Sequence, residues 1–330
     1  MRKIRNALAL TLGTVLFTAV ALGSGSSSNN SSAKKVGEVE TETSSEINET
    51  KKEEKSSSKA QSELKDAYYV GDTLDYKGLA ITFVSSSYYE SNNDFIQPKD
   101  GNQYIRLEIH VDNNSGSDKN VSTYDFNCYA GGYECEKTYN DDDLSASLSD
   151  GRSADGAVYF EVPSDANEIE IEYEVDWLND KKAKFIFEGD KNSGLTFETK
   201  TSKSDEVFHP GDIIETKNMK ITYSKCAEYV SDNMFLTPKD GNKYIYIELE
   251  VENTSDSDQT ISYFSFECYA DGSSCEGFYG MDDGLSASLS AGRKAKGTVA
   301  FEVPQNAQTI EIEFEDNFWT QNKIIFLYEE

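Results

Sequence analysis

Two histidines in 330 residues leave little material for imidazole chemistry. A glycine-rich phosphate loop is absent, and nothing beyond the first 23 residues reads as a long amphipathic helix. Apolar residues make up only 37% of the chain, and mean hydropathy is -0.62. That is low for a single compact enzyme, so part of the chain must be unfolded or all surface. Positive charge is short as well: 31 Lys and Arg face 60 Asp and Glu, a net charge of -29. So acidic a chain repels nucleic acid and anionic lipid, which makes both poor partners. The bland use of that acidity is solubility.

What is present begins with an export signal. Arg2, Lys3 and Arg5 form a basic head, and Ala7 to Leu22 is an apolar run broken only by Thr and Gly. Ala19-Val20-Ala21 and Ala21-Leu22-Gly23 are small-x-small cleavage sites. This is the layout of a secretory signal peptide over residues 1–23. The run is shorter than the roughly 20 apolar residues that span a bilayer. An uncleaved leader would be the only route to a membrane. Up to Gly23 the segment is similar to a bacterial lipoprotein leader, but Ser24 stands where the acylated Cys would be. A thioether-linked lipid cannot form on serine, so the expected location is secreted, with surface attachment by other means. Residues 24–65 are Ser, Asn, Glu, Lys and Thr with almost no apolar groups. They cannot offset chain entropy by burial and read as a disordered tether.

An internal repeat dominates the remainder. Lys77-Gly78-Leu79-Ala80-Ile81-Thr82 returns 140 positions later as Lys217-Asn218-Met219-Lys220-Ile221-Thr222. Pro98-Lys99-Asp100-Gly101-Asn102 returns unchanged as Pro238-Lys239-Asp240-Gly241-Asn242. After one inserted residue, Leu144 to Ser149 recurs as Leu285 to Ser290. Two domains are expected, at 66–189 and 206–330, joined by a linker over 190–205. Within each copy the apolar period is two. Ile105, Leu107, Ile109 and Val111 alternate with polar residues, as do Ile245, Ile247, Leu249 and Val251. Ile169, Ile171 and Tyr173 alternate with Glu168, Glu170, Glu172 and Glu174; Ile310, Ile312 and Phe314 alternate with Glu311, Glu313 and Glu315. Such alternation means one face on a core and one in water, so the Glu rows read as solvated sheet faces. About seven to nine short strands per copy, separated by Asp-Gly turns, suit a two-sheet sandwich.

Each copy opens on Gly-Asp (Gly71-Asp72, Gly211-Asp212), and a Lys-Asp-Gly-Asn turn feeds a long strand ending at Asn113 or Asn253. A Phe-Glu-Val-Pro strand end and an acidic closing strand follow. These motifs resemble the telokin-like, immunoglobulin-like extracellular domain of unknown function of Gram-positive secreted proteins and lipoproteins. A secreted mycobacterial antigen has a similar sandwich. The resemblance implies an all-β chain of two tandem immunoglobulin-like antiparallel β-sandwich domains outside the cytoplasm. It supplies no catalytic residues.

Cys128 and Cys135 flank a hairpin centred on Gly131-Gly132, and Cys268 and Cys275 flank one centred on Asp271-Gly272. A two-residue turn places the members of each pair opposite one another, about 4.5–5.5 Å apart at Cα, a span a disulfide can bridge. One intradomain disulfide per copy is expected in an exported chain. The alternative is paired buried thiols. Cys226 is left over, and Ser86 is its counterpart. His110 corresponds to Glu250 and His209 precedes Pro210, so no duplicated Ser/His/Asp or Cys/His centre exists. Neither Cys pair has a nearby His for zinc. The acidic loops at Asp141, Asp142, Asp143 and at Asp282, Asp283 match no calcium loop. No metal, cofactor or catalytic residue is therefore assigned. Tyr88, Tyr89, Tyr139, Tyr229 and Tyr279, with Phe95, Phe235 and Phe278, fall near loops, and Tyr suits recognition surfaces. The function expected is a non-catalytic secreted or surface module binding an extracellular protein or envelope component. A structural spacer of the cell envelope is the alternative, and an enzyme, working through paired carboxylates among the 60 acidic residues, ranks third.

Overall fold

The computed structural model describes residues 34–38, 64–91, 96–176, 179–198, 207–231, 233–317 and 322–329. The leader, most of the tether and residues 199–206 of the linker lie outside the described residues. The tether contributes one strand, β1 (Lys34–Glu38). The first copy begins with β2 (Thr73–Tyr76), β3 (Leu79–Tyr89), β4 (Asn102–Asn113), β5 (Lys119–Ser122), β6 (Phe126–Ala130) and β7 (Tyr133–Glu134). It continues with β8 (Glu136–Thr138), β9 (Ser145–Leu148), β10 (Ser153–Pro163), β11 (Ile169–Asp176) and β12 (Lys181–Ile186). The linker adds β13 (Lys191–Asn192). The second copy opens with β14 (Asp212–Glu215), β15 (Met219–Tyr229), β16 (Asn242–Asn253), β17 (Gln259–Ser262) and β18 (Phe266–Ala270). It closes with β19 (Ser273–Gly277), β20 (Ser286–Leu289), β21 (Lys294–Pro304), β22 (Ile310–Asn317) and β23 (Asn322–Leu327).

The period-two reading of the core strands holds. Ile105, Leu107, Ile109 and Val111 of β4 are buried, and so are Ile245, Ile247, Leu249 and Val251 of β16. In the first copy β2-β3-β4-β10-β8 form one sheet, and β12-β11-β6-β7 face it. In the second, β14-β15-β16-β21-β19 lie opposite β18-β22-β23. Each pair of sheets encloses its own apolar cluster. The two copies are thus antiparallel β-sandwiches.

The repeated Leu-Ser-Ala-Ser-Leu-Ser segment has a steric partner. A Cβ on Gly156 would lie 2.6 Å from the Leu144 Cα, and one on Gly297 would lie 2.7 Å from the Leu285 Cα. Only glycine lets the long strands β10 and β21 pass so close to that segment. Leu144 and Leu285 then reach the two cores.

Two expectations are corrected. Residues 24–65 were expected to lack structure throughout, yet β1 pairs antiparallel with the edge strand β14, Lys34 opposite Glu215 and Glu38 opposite Asp212. An edge strand with free backbone groups accepts any extended segment of suitable reach. The second correction is larger. Glu311 and Glu313 do not face water: each is 4% exposed. The first copy covers them.

That cover is an interdomain ion cluster. Arg152, 1% exposed, sends Nη1 to Glu311 Oε2 at 2.5 Å, and Nε and Nη2 to Glu313 Oε1 at 2.8 and 2.6 Å. Its guanidinium lies 4.4 Å from the centre of the Tyr269 ring. Burial opposes the Arg152 charge, but Glu313 and Glu311 outweigh it and raise its pKa. The Tyr269 hydroxyl donates to the Ser147 carbonyl at 2.8 Å, and its ring joins the first copy's apolar cluster. Ser149 donates to Glu313 at 2.5 Å, and Lys323 bonds Ser149 and pairs with Asp118 at 2.9 Å. A parallel bridge, Ser153 N–H to the Gly272 carbonyl at 3.0 Å, continues one sandwich into the other. Residues 32–330 therefore form one compact unit.

Removing one member of a buried ion cluster leaves the others uncompensated, which costs about 3–5 kcal/mol. Arg152→Met should lower the unfolding free energy by that amount in urea titration. The triple variant Arg152→Met/Glu311→Leu/Glu313→Leu should recover most of it, because no unpaired charge then remains in the cluster, Lys323 keeping Asp118. Equal stability of Arg152→Met and the parent would refute the assignment.

Candidate functional site

The described surface offers one feature built twice. In the first copy a single 3-10 turn, Thr123–Asp125, follows β5. Ser122 caps it: its Oγ accepts from Tyr124 N–H at 3.3 Å, while Asp125 accepts from Ser122 N–H at 2.7 Å. This reciprocal box fixes the turn and leaves the side chain at 124 facing solvent. Tyr124 is 72% exposed, and its ring centre lies 6.1 Å from that of half-exposed Tyr139. Lys137 caps the pair, 5.7 Å from the Tyr124 ring and donating to the Tyr124 carbonyl at 3.3 Å.

The second copy repeats the device at Tyr263–Ser265, where Ser262 Oγ accepts from Phe264 N–H at 3.3 Å. Phe264 and Tyr279 are 66% and 60% exposed and 5.1 Å apart, and Tyr263 adds a third ring 4.3 Å from Phe264. Gly277 replaces Lys137, so this cluster is the more apolar. Burial raises the pKa of Tyr139 and of Tyr279, so both hydroxyls stay protonated and able to donate. Rigid rings with polar tips and few rotamers are suited to contact with a partner.

Sequence reasoning singled out Tyr139 and Tyr279 but neither Tyr124 nor Phe264. The Ser122-x-x-Asp125 capping spacing was the available signal. The other loop aromatics divide. Phe235 is exposed, Tyr89 packs edge-on against buried Tyr159, and Phe278 stacks on Tyr244 at 3.9 Å. Phe95 lies outside the described residues.

The model of the family described as a domain of unknown function, DUF4352, matches residues 68–183 and again 208–324. The chain belongs to the DUF4352 family. No curated protein matches it. Among solved structures it is similar to a candidate lipoprotein, YcdA, of Bacillus subtilis. Identity there is 11% and the TM-score 0.30, over 34% of this chain and 36% of that one. The YjhA protein of the same organism gives 14% identity and a TM-score of 0.30, over 37% of this chain and 98% of that one. The secreted protein MPT63 of Mycobacterium tuberculosis gives 12% and 0.27, over 38% and 100%.

The two DUF4352 domains correct the cysteine reading. The hairpins form as expected: Gly131 and Gly132 have φ of 57° and 84°, Asp271 and Gly272 of 52° and 86°. Cys268 stands opposite Cys275, and Cys135 N–H donates to the Cys128 carbonyl at 2.8 Å. Yet Cys128, Cys135, Cys268 and Cys275 are free thiols, as is Cys226. Pairs at hydrogen-bonded positions of a ladder hold their side chains farther apart than pairs at non-bonded positions. A disulfide needs Cβ atoms only about 3.8 Å apart. Burial also raises the Cys128 and Cys268 pKa values, suppressing the thiolate that exchange requires. Cys226 bonds the Glu329 carbonyl at 2.9 Å.

The acidic loops are committed to the fold. Asp142 pairs with Arg106 at 2.8 Å and accepts from Tyr159 at 2.6 Å, Asp143 caps Asn140 N–H at 3.1 Å, and Asp283 accepts from Thr298 at 2.9 Å. Asp141 gives its carbonyl to Lys239, and Asp282 stays at the surface. His209 pairs with Glu329 at 2.8 Å. A cleft of about 270 Å³ between the domains contains Glu267, which burial pushes up to about 7, against Lys323. Its neighbours Glu313 and Lys323 already serve the ion cluster.

His110 was expected at a polar, solvated strand position; it is buried instead. Phe197 of the linker stacks on it at 3.5 Å, and Asp155 and Asp112 bond its two ring nitrogens at 2.7 and 3.2 Å. Burial opposes the imidazolium, but the bonds to Asp112 and Asp155 outweigh it and push the pKa up to about 9.

Two measurements follow from these placements. Protein denatured without reductant should alkylate at all five cysteines, and reductant should leave its melting temperature unchanged. A Cys128–Cys135 or Cys268–Cys275 peptide on mass mapping would reinstate the disulfides. The His110 pKa is raised above its unfolded value of about 6.5. Its contribution is therefore complete below about pH 6.5 and is lost as pH rises through about 9. Unfolding free energy should fall across that window, and His110→Gln should flatten the fall. An unchanged profile in the variant would remove the charge assignment.

Proposed function

We propose that the protein is an exported, non-catalytic binding module that engages an envelope component or extracellular protein through its two aromatic clusters. The observation that carries this reading is the repetition of the exposed cluster. Tyr124 and Tyr139 in one domain correspond to Phe264 and Tyr279 in the other, each presented by a Ser-capped turn. Solvent penalises exposed rings, so large apolar groups grouped at equivalent surface positions point to contact with a partner. The export leader and the net charge of -29 fit a location outside the cytoplasm and a partner other than nucleic acid. The alternative, a structural spacer, is favoured by one feature, the buried ion cluster that stiffens the junction. Binding and spacing are compatible, since a stiff junction holds two contact points at a constant separation.

The test is co-sedimentation with isolated cell envelope. Tyr124→Ala/Tyr139→Ala and Phe264→Ala/Tyr279→Ala should each weaken binding by about tenfold. Combined, they should weaken it by about 100-fold or more, because two linked contacts reinforce one another. If the fourfold variant sediments like the parent, the clusters are not the binding surface. If the parent itself stays in solution with every fraction, the spacer reading takes over.

A further inference from the structure

The junction between the two domains joins unlike surfaces. The first domain contributes the loop Ser149–Ser153, which carries Arg152. The second contributes the outer face of β18 and β22 with Tyr269, Glu311 and Glu313. The chain is a duplication, so each domain also possesses the surface that it does not use here. The second domain's counterparts of Ser149 and Arg152 are Ser290 and Arg293, both exposed. The first domain's counterparts of Tyr269, Glu311, Glu313 and Lys323 are Tyr129, Glu170, Glu172 and Lys182. Tyr129, Glu170 and Glu172 are only half-buried, and they lie together because Glu170 stands opposite Tyr129 in the ladder.

We propose that the chain associates head to tail with further copies of itself, Arg293 of one docking on Glu170 and Glu172 of the next. The new contact would repeat the geometry already present at the internal junction. A heterologous contact of this kind does not close on itself unless its rotation happens to make a ring, so it builds an open string. Several substitutions between the copies favour the match. Ser153 and Asp155 correspond to Lys294 and Lys296. The free end of the second domain therefore presents two lysines, held by Glu248, Glu250 and Glu252 of β16, where the internal junction has a serine and an aspartate. Ser273 corresponds to Tyr133, 82% exposed and next to Glu134, so the receiving face offers a ring and a carboxylate to those lysines. Lys239, which donates to the Asp141 carbonyl across the junction at 2.7 Å, has its counterpart in Lys99.

One substitution opposes it. Lys184 stands where the second domain has Ile325, and it holds Glu170 at 2.7 Å. Lys182 holds Glu172 at 3.0 Å as well, so Arg293 must compete for both carboxylates, which makes association between chains weaker than the internal junction. Association would array the aromatic clusters at regular intervals along the string.

Sedimentation velocity on the full chain between about 10 µM and 1 mM is the test, a range matched to a weak contact. The weight-average mass should climb with concentration past that of a dimer. Arg293→Glu, at an exposed position, should raise the dissociation constant at least about tenfold, as should Glu170→Gln/Glu172→Gln. Each of these variants keeps one competent end. A mixture of the two should therefore form capped dimers and nothing larger. Lys184→Ile should tighten association. A parent chain that stays monomeric throughout, one that stops at a dimer, or one whose association ignores Arg293→Glu would overturn the proposal.

Discussion

A guanidinium held between two carboxylates, out of water, sets the relation of the two domains. Arg152 cannot leave Glu311 and Glu313 without exposing three charges to an environment that solvates none of them. Such a cluster adds little net stability over a well-packed apolar contact, because desolvation consumes most of the Coulomb gain. Its effect is on specificity. A guanidinium fork bonds carboxylates only in certain directions, so the domains meet in one orientation. Tyr269 reinforces this by placing its ring in the first domain's apolar cluster and its hydroxyl on the Ser147 carbonyl. The cleft around Glu267 and the placement of Lys323 both follow from that contact.

The duplication explains the chemistry that surrounds this contact. Equivalent positions began alike and now meet different surroundings. Arg152 is buried while Arg293 is exposed; Glu313 is buried while Glu172 pairs with Lys182 at 3.0 Å near the surface. His110 sits between Asp112 and Asp155, whereas at the corresponding place Lys294 pairs with Glu250 and Glu252. The exposed rings follow a different rule. Both copies retain them as close pairs, and those of the second copy border the junction, where Phe264 and Tyr279 line clefts shared with the first domain.

Much of the architecture was legible in residue order. The strand cores could be read because inward and outward residues alternate along a single strand, a local property. The hairpins at Gly131-Gly132 and Asp271-Gly272 could be read because positive φ at both turn positions selects those residues. The oxidation state of the thiols could not be read in the same way. Register brings Cys268 opposite Cys275, but side-chain separation depends on which kind of ladder position the pair occupies. Of the aromatic pairs, Tyr139 and Tyr279 were suspected. Tyr124 and Phe264 were not, because a single capped turn, too short to show a period, is what turns them to solvent.

The amino-acid sequence by itself determined two sandwiches, their turns and their cores, since these rest on alternation and turn chemistry within short stretches. Tertiary structure alone decided which glutamate row is dry, which histidine is buried and where the tether lays its one described strand. Glu170 and Glu311 occupy the same place in the same pattern, and nothing in either strand tells them apart. The difference comes from Arg152, 159 residues from Glu311 in the chain. Burial by another domain is a property of docking, and the period of a single strand carries no record of what will cover its outer face.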